Sequence, residues 1–470
     1  MTARGRFSTL ATLLLLGGCA AGPDYERPEL DVPESYIQPV QQGETFANTP
    51  WWELFADEQL QQLIRIALEE NQDLGIAAAR VEEFRAVLGV TRADQFPSVD
   101  ITASGAQAEG STNVFPGNIP GVPSDKVENY RLSADVFFEL DLFGRLRRST
   151  EAARAQLLAT EEAQRSITIS LVASVASTYM LLRDLDAELE IARRTKSTRT
   201  DSLGIIQARF DKGTVPKLDV NQAEIELAVA DAAIAAAERA VAQTENALAI
   251  LLGRNPGAIP RGLALKQQVL PPGIPAGLPS ELLQRRPDVL ASEAQLAAQT
   301  ARIGVAQAAR WPSLSLTGAL GFESDDLSTL TDGGSDFWIA GVGILAPVFN
   351  AGRNKNRVEV EKARTEQALL AYEQTVQRAF REVEDALVAV RTYRDEHAAR
   401  RRQVAAARSA ATLSRARYDG GVTSYLEVLD TERSLFNAEL TESQTQRLYI
   451  NAIIELYKAL GGGWNPESDE

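Results

Sequence analysis

One cysteine and one histidine in 470 residues leave almost nothing with which to build a zinc site, a Ser/His/Asp triad or a disulfide framework. His397 lies in RDEHAARRR, a charged helical stretch that reads as solvated surface. No G-x-x-x-x-G-K-[ST] loop occurs, so the chain carries no phosphate cradle of that kind and no energy source of its own. A cationic surplus is missing as well. Lys and Arg number 48 against 64 Asp and Glu, a net charge of −16, which excludes nucleic acid as a partner because phosphates require a basic surface. These absences argue against an enzyme and predict no cofactor and no metal.

What is present begins at the N-terminus. Arg4 and Arg6 precede an apolar stretch from Leu10 to Leu16 and then small residues, the pattern of a secretory signal peptide over 1–18, too short to span a bilayer. The signal ends in Leu16-Gly17-Gly18-Cys19, which resembles a bacterial lipobox. That likeness implies that Cys19 is acylated and becomes the first mature residue. Ala20 follows it rather than Asp, which in that class points to the outer membrane. Residues 19–50 are Pro-rich and form an extended leader.

Beyond the leader the chain repeats itself. GVTRADQFPSVDITASG from Gly89 matches GVAQAARWPSLSLTGALG from Gly304, and RFDKGTVPKLDV from Arg209 matches RYDGGVTSYLEV from Arg417. A spacing above 200 residues is too long for a solenoid unit and marks a duplicated half-protein. The first repeat is 51–260, with a β-hairpin at about 97–141 and long helices at 145–211 and 216–252. The second is 287–462, with a hairpin at about 312–347 and helices at 353–418 and 423–460; 261–286 links the two and 463–470 is a tail.

The strands alternate with period two. Val99, Ile101 and Ala103 oppose Asp100 and Thr102; Leu132, Ala134, Val136, Phe138 and Leu140 oppose Arg131, Ser133, Asp135 and Glu139; Leu314, Leu316 and Leu320 repeat the pattern. DFWIAGVGILA is apolar on both faces, a weaker strand pattern. Length and alternation suit transmembrane β-strands in an exported protein. Four strands cannot close a barrel, and open edges are not tolerated in lipid, so a homo-oligomer is required. The helices make the same demand: residues 223–249 are nearly half alanine and bury little area unless they pack along neighbours.

These features together resemble the outer membrane factor family, of the TolC and OprM type. The likeness rests on the lipobox with GPDYERP, on RRPDVLASEAQLAAQTARIGVAQAARWPSLSLTG, on PVFNAGR and on YLEVLDTERSLFNAEL, and it covers essentially the whole mature chain. It implies an α+β membrane protein: a homotrimer with a 12-stranded transmembrane β-barrel, four strands per chain, continuous with a long α-helical periplasmic barrel. It also implies a passive efflux duct in the outer membrane, lipid-anchored and reaching into the periplasm. Its partners would be the lipid bilayer, a periplasmic membrane-fusion adaptor and an inner membrane pump of the RND type.

Gly213, and Gly420 with Gly421, break the long helices at equivalent places and are the expected tip turns. Leu426 and Asp430 share a helix face, and Glu427 is three residues from Asp430. By resemblance Leu426, Glu427 and Asp430 form a periplasmic gate, an apolar constriction with an acidic ring. Asp219, Tyr418 and Arg433 are the expected gate-closing ties, Asp219 by bonding Tyr418. Gln222 stands where the second copy has Asp430, so only one repeat supplies the acid. The plainer alternative is a solvated tip with Asp430 paired to Arg433. Other readings are a type I secretion duct, a non-transporting coiled-coil lipoprotein, or an exported enzyme using carboxylates, though Glu427 and Asp430 on a helix tip have no pocket, metal-ligand set or histidine beside them.

Overall fold

The computed structural model describes residues 20–38, 55–109, 126–268, 277 and 279–462; the signal peptide, Cys19, part of the leader and the tail lie outside them. In order come α1 (Glu58–Glu70), α2 (Gln72–Ala93), β1 (Ser98–Ala108), β2 (Val127–Leu140), α3 (Arg145–Asp211) and α4 (Lys217–Leu251). After a linker containing short helical turns come α5 (Pro287–Ala308), β3 (Ser313–Ser324), β4 (Asp336–Leu345), α6 (Arg353–Asp419) and α7 (Tyr425–Ala459).

The duplication is metrical. α3 and α6 each hold 67 residues, α4 and α7 each 35, and α2 and α5 each 22. The compact units are nevertheless not the repeats. One unit gathers Val81–Thr160 and Ser292–Tyr372, the other Glu29–Arg80, Glu161–Ala291 and Glu373–Glu470, so each draws on both copies.

In the first unit the four strands form one antiparallel sheet in the order β1-β2-β3-β4. Its register places Ile101, Ala134 and Leu320 in line, and Asp100, Asp135 and Ala319 on the opposite face. One face is therefore apolar, with Leu132, Val136, Leu316, Trp338 and Val342, and the other carries Arg131, Ser133, Asp135 and Glu323. β4 does not alternate: it brings Trp338, Val342 and Ile344 to the apolar face and Phe337, Ile339 and Leu345 to the other. Its Phe337, on the polar face, lies 4.4 Å under the Arg131 guanidinium. Gly341 and Gly343 leave room for Thr317 and Ser315, whose hydroxyl oxygens an added Cβ would approach to 2.9 Å. Ile101, Trp338 and Ile344 are 82%, 78% and 73% exposed in the single chain, and β1 and β4 are unpaired edges. Apolar surface of that kind needs a cover.

The second unit has an ordinary core. Leu60, Leu63 and Ile64 of α1 pack against Val175, Tyr179 and Leu182 of α3, Leu248 of α4 and Ile450 and Ile453 of α7. α3 is long and apolar enough by composition to cross a membrane, and 44% of that apolar window is buried inside the structure. Buried Asp57 caps α1 through Gln59 and Leu60 N–H and accepts from Tyr179 Oη at 3.1 Å and Leu263 N at 2.9 Å. His397 corrects its sequence reading. It is not solvated: its side chain is 18% exposed and Nε2 meets the buried Glu442 carboxylate at 3.2 Å.

Candidate functional site

At the end of α3 the chain turns on Gly213, at φ 73°, and at the end of α6 on Gly421, at φ 72°. Each glycine N–H bonds the carbonyl three residues back, and the next N–H reaches back five, Thr214 to Arg209 and Val422 to Arg417. This is the glycine-terminated helix end, which needs a left-handed residue. Gly420 has no positive φ and corresponds to Lys212 in the first copy, so the turn does not depend on it. α4 and α7 then start after Pro216 and Ser424, both in extended conformation.

The two turns are fastened by apolar packing. Ile206, Val220 and Ala223 from the first repeat bury against Tyr418, Tyr425, Val428 and Leu429 from the second. The Tyr418 and Tyr425 rings are 5.4 Å apart. Asp219 and Tyr418 do not form the expected bond: the Tyr418 hydroxyl is buried without a partner, and Asp219, partly exposed, has none for its carboxylate among the described residues. Arg209 makes the link in its place. Its guanidinium sits 4.8 Å over the Tyr418 ring and 3.5 Å from Asp419 Oδ1.

One turn further along, Glu226 of α4 is 4% exposed and holds two arginines. Arg199 of α3 approaches it at 2.9 Å and also donates to its main-chain carbonyl at 2.7 Å. Arg433 of α7 meets it at 2.5 Å, so Arg433 ties α7 to α4 and does not pair with Asp430. Beside them Arg415 bonds Ser202 and stands 3.6 Å from Glu432. Burial pushes Glu432 above the usual carboxylate range, with Arg415 and Arg199 opposing, and it lowers Arg199 against the pull of Glu226. Tyr425 is pushed up to about 12, mainly by burial.

The expected gate residues separate into two kinds. Glu427 is engaged within its own chain, by Thr423 Oγ1 and by Arg417 at 3.7 Å. Asp430 is exposed and has no partner among the described residues, and Leu426, on the same face of α7, is 57% exposed. Sequence reasoning missed Glu226, Arg199 and Arg209. Glu226 was findable: it lies on the stripe Val220, Ala223, Ala230 that α4 buries, and an acid on such a stripe requires a cation. Leu218, 61% exposed, occupies the first-repeat position of Leu426 and was also passed over.

In the strand-bearing unit the residues after position 19 are pinned where β2 passes into α3. Ala21 N–H donates to Phe143 O at 2.9 Å, and Arg148 donates to Ala21 O at 3.2 Å and to Asp24 at 2.6 Å. Cys19 itself falls outside the described residues. Phe143 stacks on Trp311 at 5.4 Å beside the strand ends. Among the described residues no group of His, Cys, Asp and Glu is arranged to hold a metal.

The chain is similar to known proteins along nearly its whole length. The family model described as Outer membrane efflux protein matches residues 63–254 and again 278–462. The solvent efflux pump outer membrane protein SrpC of Pseudomonas putida is 38% identical over 462 residues, 96% of this chain and 97% of that protein. The cation efflux system protein CusC of Escherichia coli is 37% identical over 458 residues, covering 96% and 97%. The crystal structure of the open state of the Neisseria gonorrhoeae MtrE outer membrane channel superposes with a TM-score of 0.85 at 34% identity, over 95% of this chain and 98% of that one.

Proposed function

The chain belongs to the outer membrane efflux protein family and is the outer membrane channel component of an efflux system, and on that premise we propose how its residues work. Three copies close the two free sheet edges into a barrel of twelve strands, apolar outward, and their helices line a periplasmic duct. The single observation that carries this is the sheet itself: it has one apolar face, exposed to solvent in the isolated chain, and two unpaired edges.

The duct passes small molecules handed to it by an inner membrane pump of the RND type through a periplasmic adaptor. Relatives named for solvent and for cation efflux support a cargo of small solutes. Acylation at Cys19 anchors the chain, a reading supported by the pinning of Ala21 at the base of β2.

The periplasmic gate is built at the helix tips. Leu426 and Asp430, unpartnered on one face of α7, form the constriction and an acidic ring when three copies meet. Glu427 braces the turn and adds to the local negative field. Arg433 with Glu226, and Arg209 with Tyr418, hold the tips of one chain together, while Asp219 remains available for a neighbouring copy.

Planar-bilayer recording tests the gate. Leu426→Ala raises conductance and Asp430→Asn lowers the preference for cations; unchanged conductance and selectivity in both variants would rule the gate out.

A further inference from the structure

We propose that the junction between β4 and α6, residues 345–357, docks anionic phospholipid in the periplasmic leaflet of the outer membrane; the proposal rests on the channel reading above. Two copies of one motif differ at this junction. In the first repeat GRLRR opens α3, and its cations are neutralised inside the chain. Arg145 pairs with Glu139 at 2.7 Å, Arg147 with Asp141 at 3.4 Å, and Arg148 with Asp24 at 2.6 Å.

In the second repeat GRNKNR opens α6, and the acids are gone. The positions of Glu139 and Asp141 are occupied by Pro347 and Phe349. Arg353, Lys355 and Arg357 are exposed and have no ion-pair partner among the described residues. Beside them Val348 and Phe349 are 95% and 90% exposed. Two neutralising carboxylates have thus given way to apolar side chains, while Arg353 and Lys355 keep the charges of Arg145 and Arg147; Asn356 stands in the place of Arg148, and Arg357 in that of Ser149.

A cation cluster next to bare apolar side chains matches a membrane interface, where acyl chains and phosphates are presented together. The place in the fold agrees. The motif follows the last residue of a membrane strand on the side from which the helices leave, so it meets the periplasmic leaflet. A cavity of about 380 Å³ opens at the same spot, its wall including Trp311, Leu345, Pro347 and Arg357 together with Glu139 and Asp141, whose charges Arg145 and Arg147 already meet. Amphipathic aromatics such as Trp311 are common at headgroup depth. A neighbouring copy is the competing occupant of this surface.

The test uses the full acylated chain, purified as its oligomer and reconstituted with phosphatidylglycerol, with phosphatidylcholine, or with phosphatidylcholine plus inorganic phosphate. Lipid retained after delipidation is counted by native mass spectrometry. The wild type retains phosphatidylglycerol over phosphatidylcholine on the order of a hundredfold, the scale expected of three cations at an anionic surface. Arg353→Gln with Lys355→Gln and Arg357→Gln abolishes that preference while oligomer mass and conductance stay unchanged. Val348→Ser with Phe349→Ser lowers retention of both lipids alike.

Three results overturn the proposal: equal retention of phosphatidylglycerol by the glutamine variant, protection by inorganic phosphate alone equal to that by the lipid, or dissociation of that variant whatever the lipid, which would assign the cations to the subunit contact. Failure of the channel reading is seen separately, as a wild type that forms no pores.

Discussion

Arg433 Nε on α7 lies 2.5 Å from the Glu226 carboxylate on α4, joining helices of the two sequence repeats one turn above the tips. Arg199 shares the same carboxylate from α3. The pair is unequal: the Arg199 side chain is 3% exposed, that of Arg433 46%. Removing Glu226 strands a buried guanidinium, whereas removing Arg433 leaves the acid still paired.

Two variants should therefore behave differently. Glu226→Ala costs about 3–5 kcal/mol through the uncompensated Arg199. Arg433→Ala costs about 1 kcal/mol or less, because its end is solvated. Arg433→Ala keeps the fold and raises the open fraction of the channel, read by single-channel recording beside thermal unfolding. Equal stability losses in the two variants would contradict this division of roles.

Gly421 and Gly420 make a sharper comparison. Gly421 has φ 72°, where a Cβ is strained, and Gly420 has ordinary backbone with an added Cβ no nearer than 3.4 Å to Ala416 O. Gly421→Ala should destabilise by about 1 kcal/mol, and Gly420→Ala by less than about 0.5 kcal/mol. Chemical denaturation of the two single variants decides it, and Gly213→Ala should follow Gly421→Ala.

Glu432 sets a pH dependence. Burial raises its carboxyl above the ordinary value of 4.5, opposed by Arg415 and Arg199, with Glu226 also facing it. The folded protein then takes up this proton at a pH where the unfolded chain is still ionised. The resulting stability is fully present below the unfolded value and is lost as pH rises through the folded one. Glu432→Gln should flatten the stability curve over that acidic window; thermal unfolding from pH 4 to 7 that leaves the wild-type and variant curves parallel would refute it.

The element plan was legible because duplication and periodicity are local properties. The broken helices at Gly213 and Gly421, the strand faces of β1 to β3 and the paired lengths of the long helices all follow from residue spacing. The ties at the tip were less legible, because a salt bridge between distant segments depends on how each helix is rotated about its axis. Asp219 and Tyr418 were matched by position, but the structure couples Tyr418 to Arg209. Glu427 and Asp430 look alike in sequence, yet only Glu427 has Arg417 and Thr423 within reach. β4 is apolar on both faces, as its sequence reads; what spacing could not show is that Phe337 shelters under Arg131, a contact that exists only once β2, β3 and β4 are in register.

The central claim is that the exposed apolar face and the two free edges of one chain are completed by two further copies. Mass measurement of the purified acylated protein in detergent, with conductance recorded from the same preparation, tests it most directly. The account predicts a particle of three chains that conducts ions across a planar bilayer; a stable monomer that never conducts would contradict it.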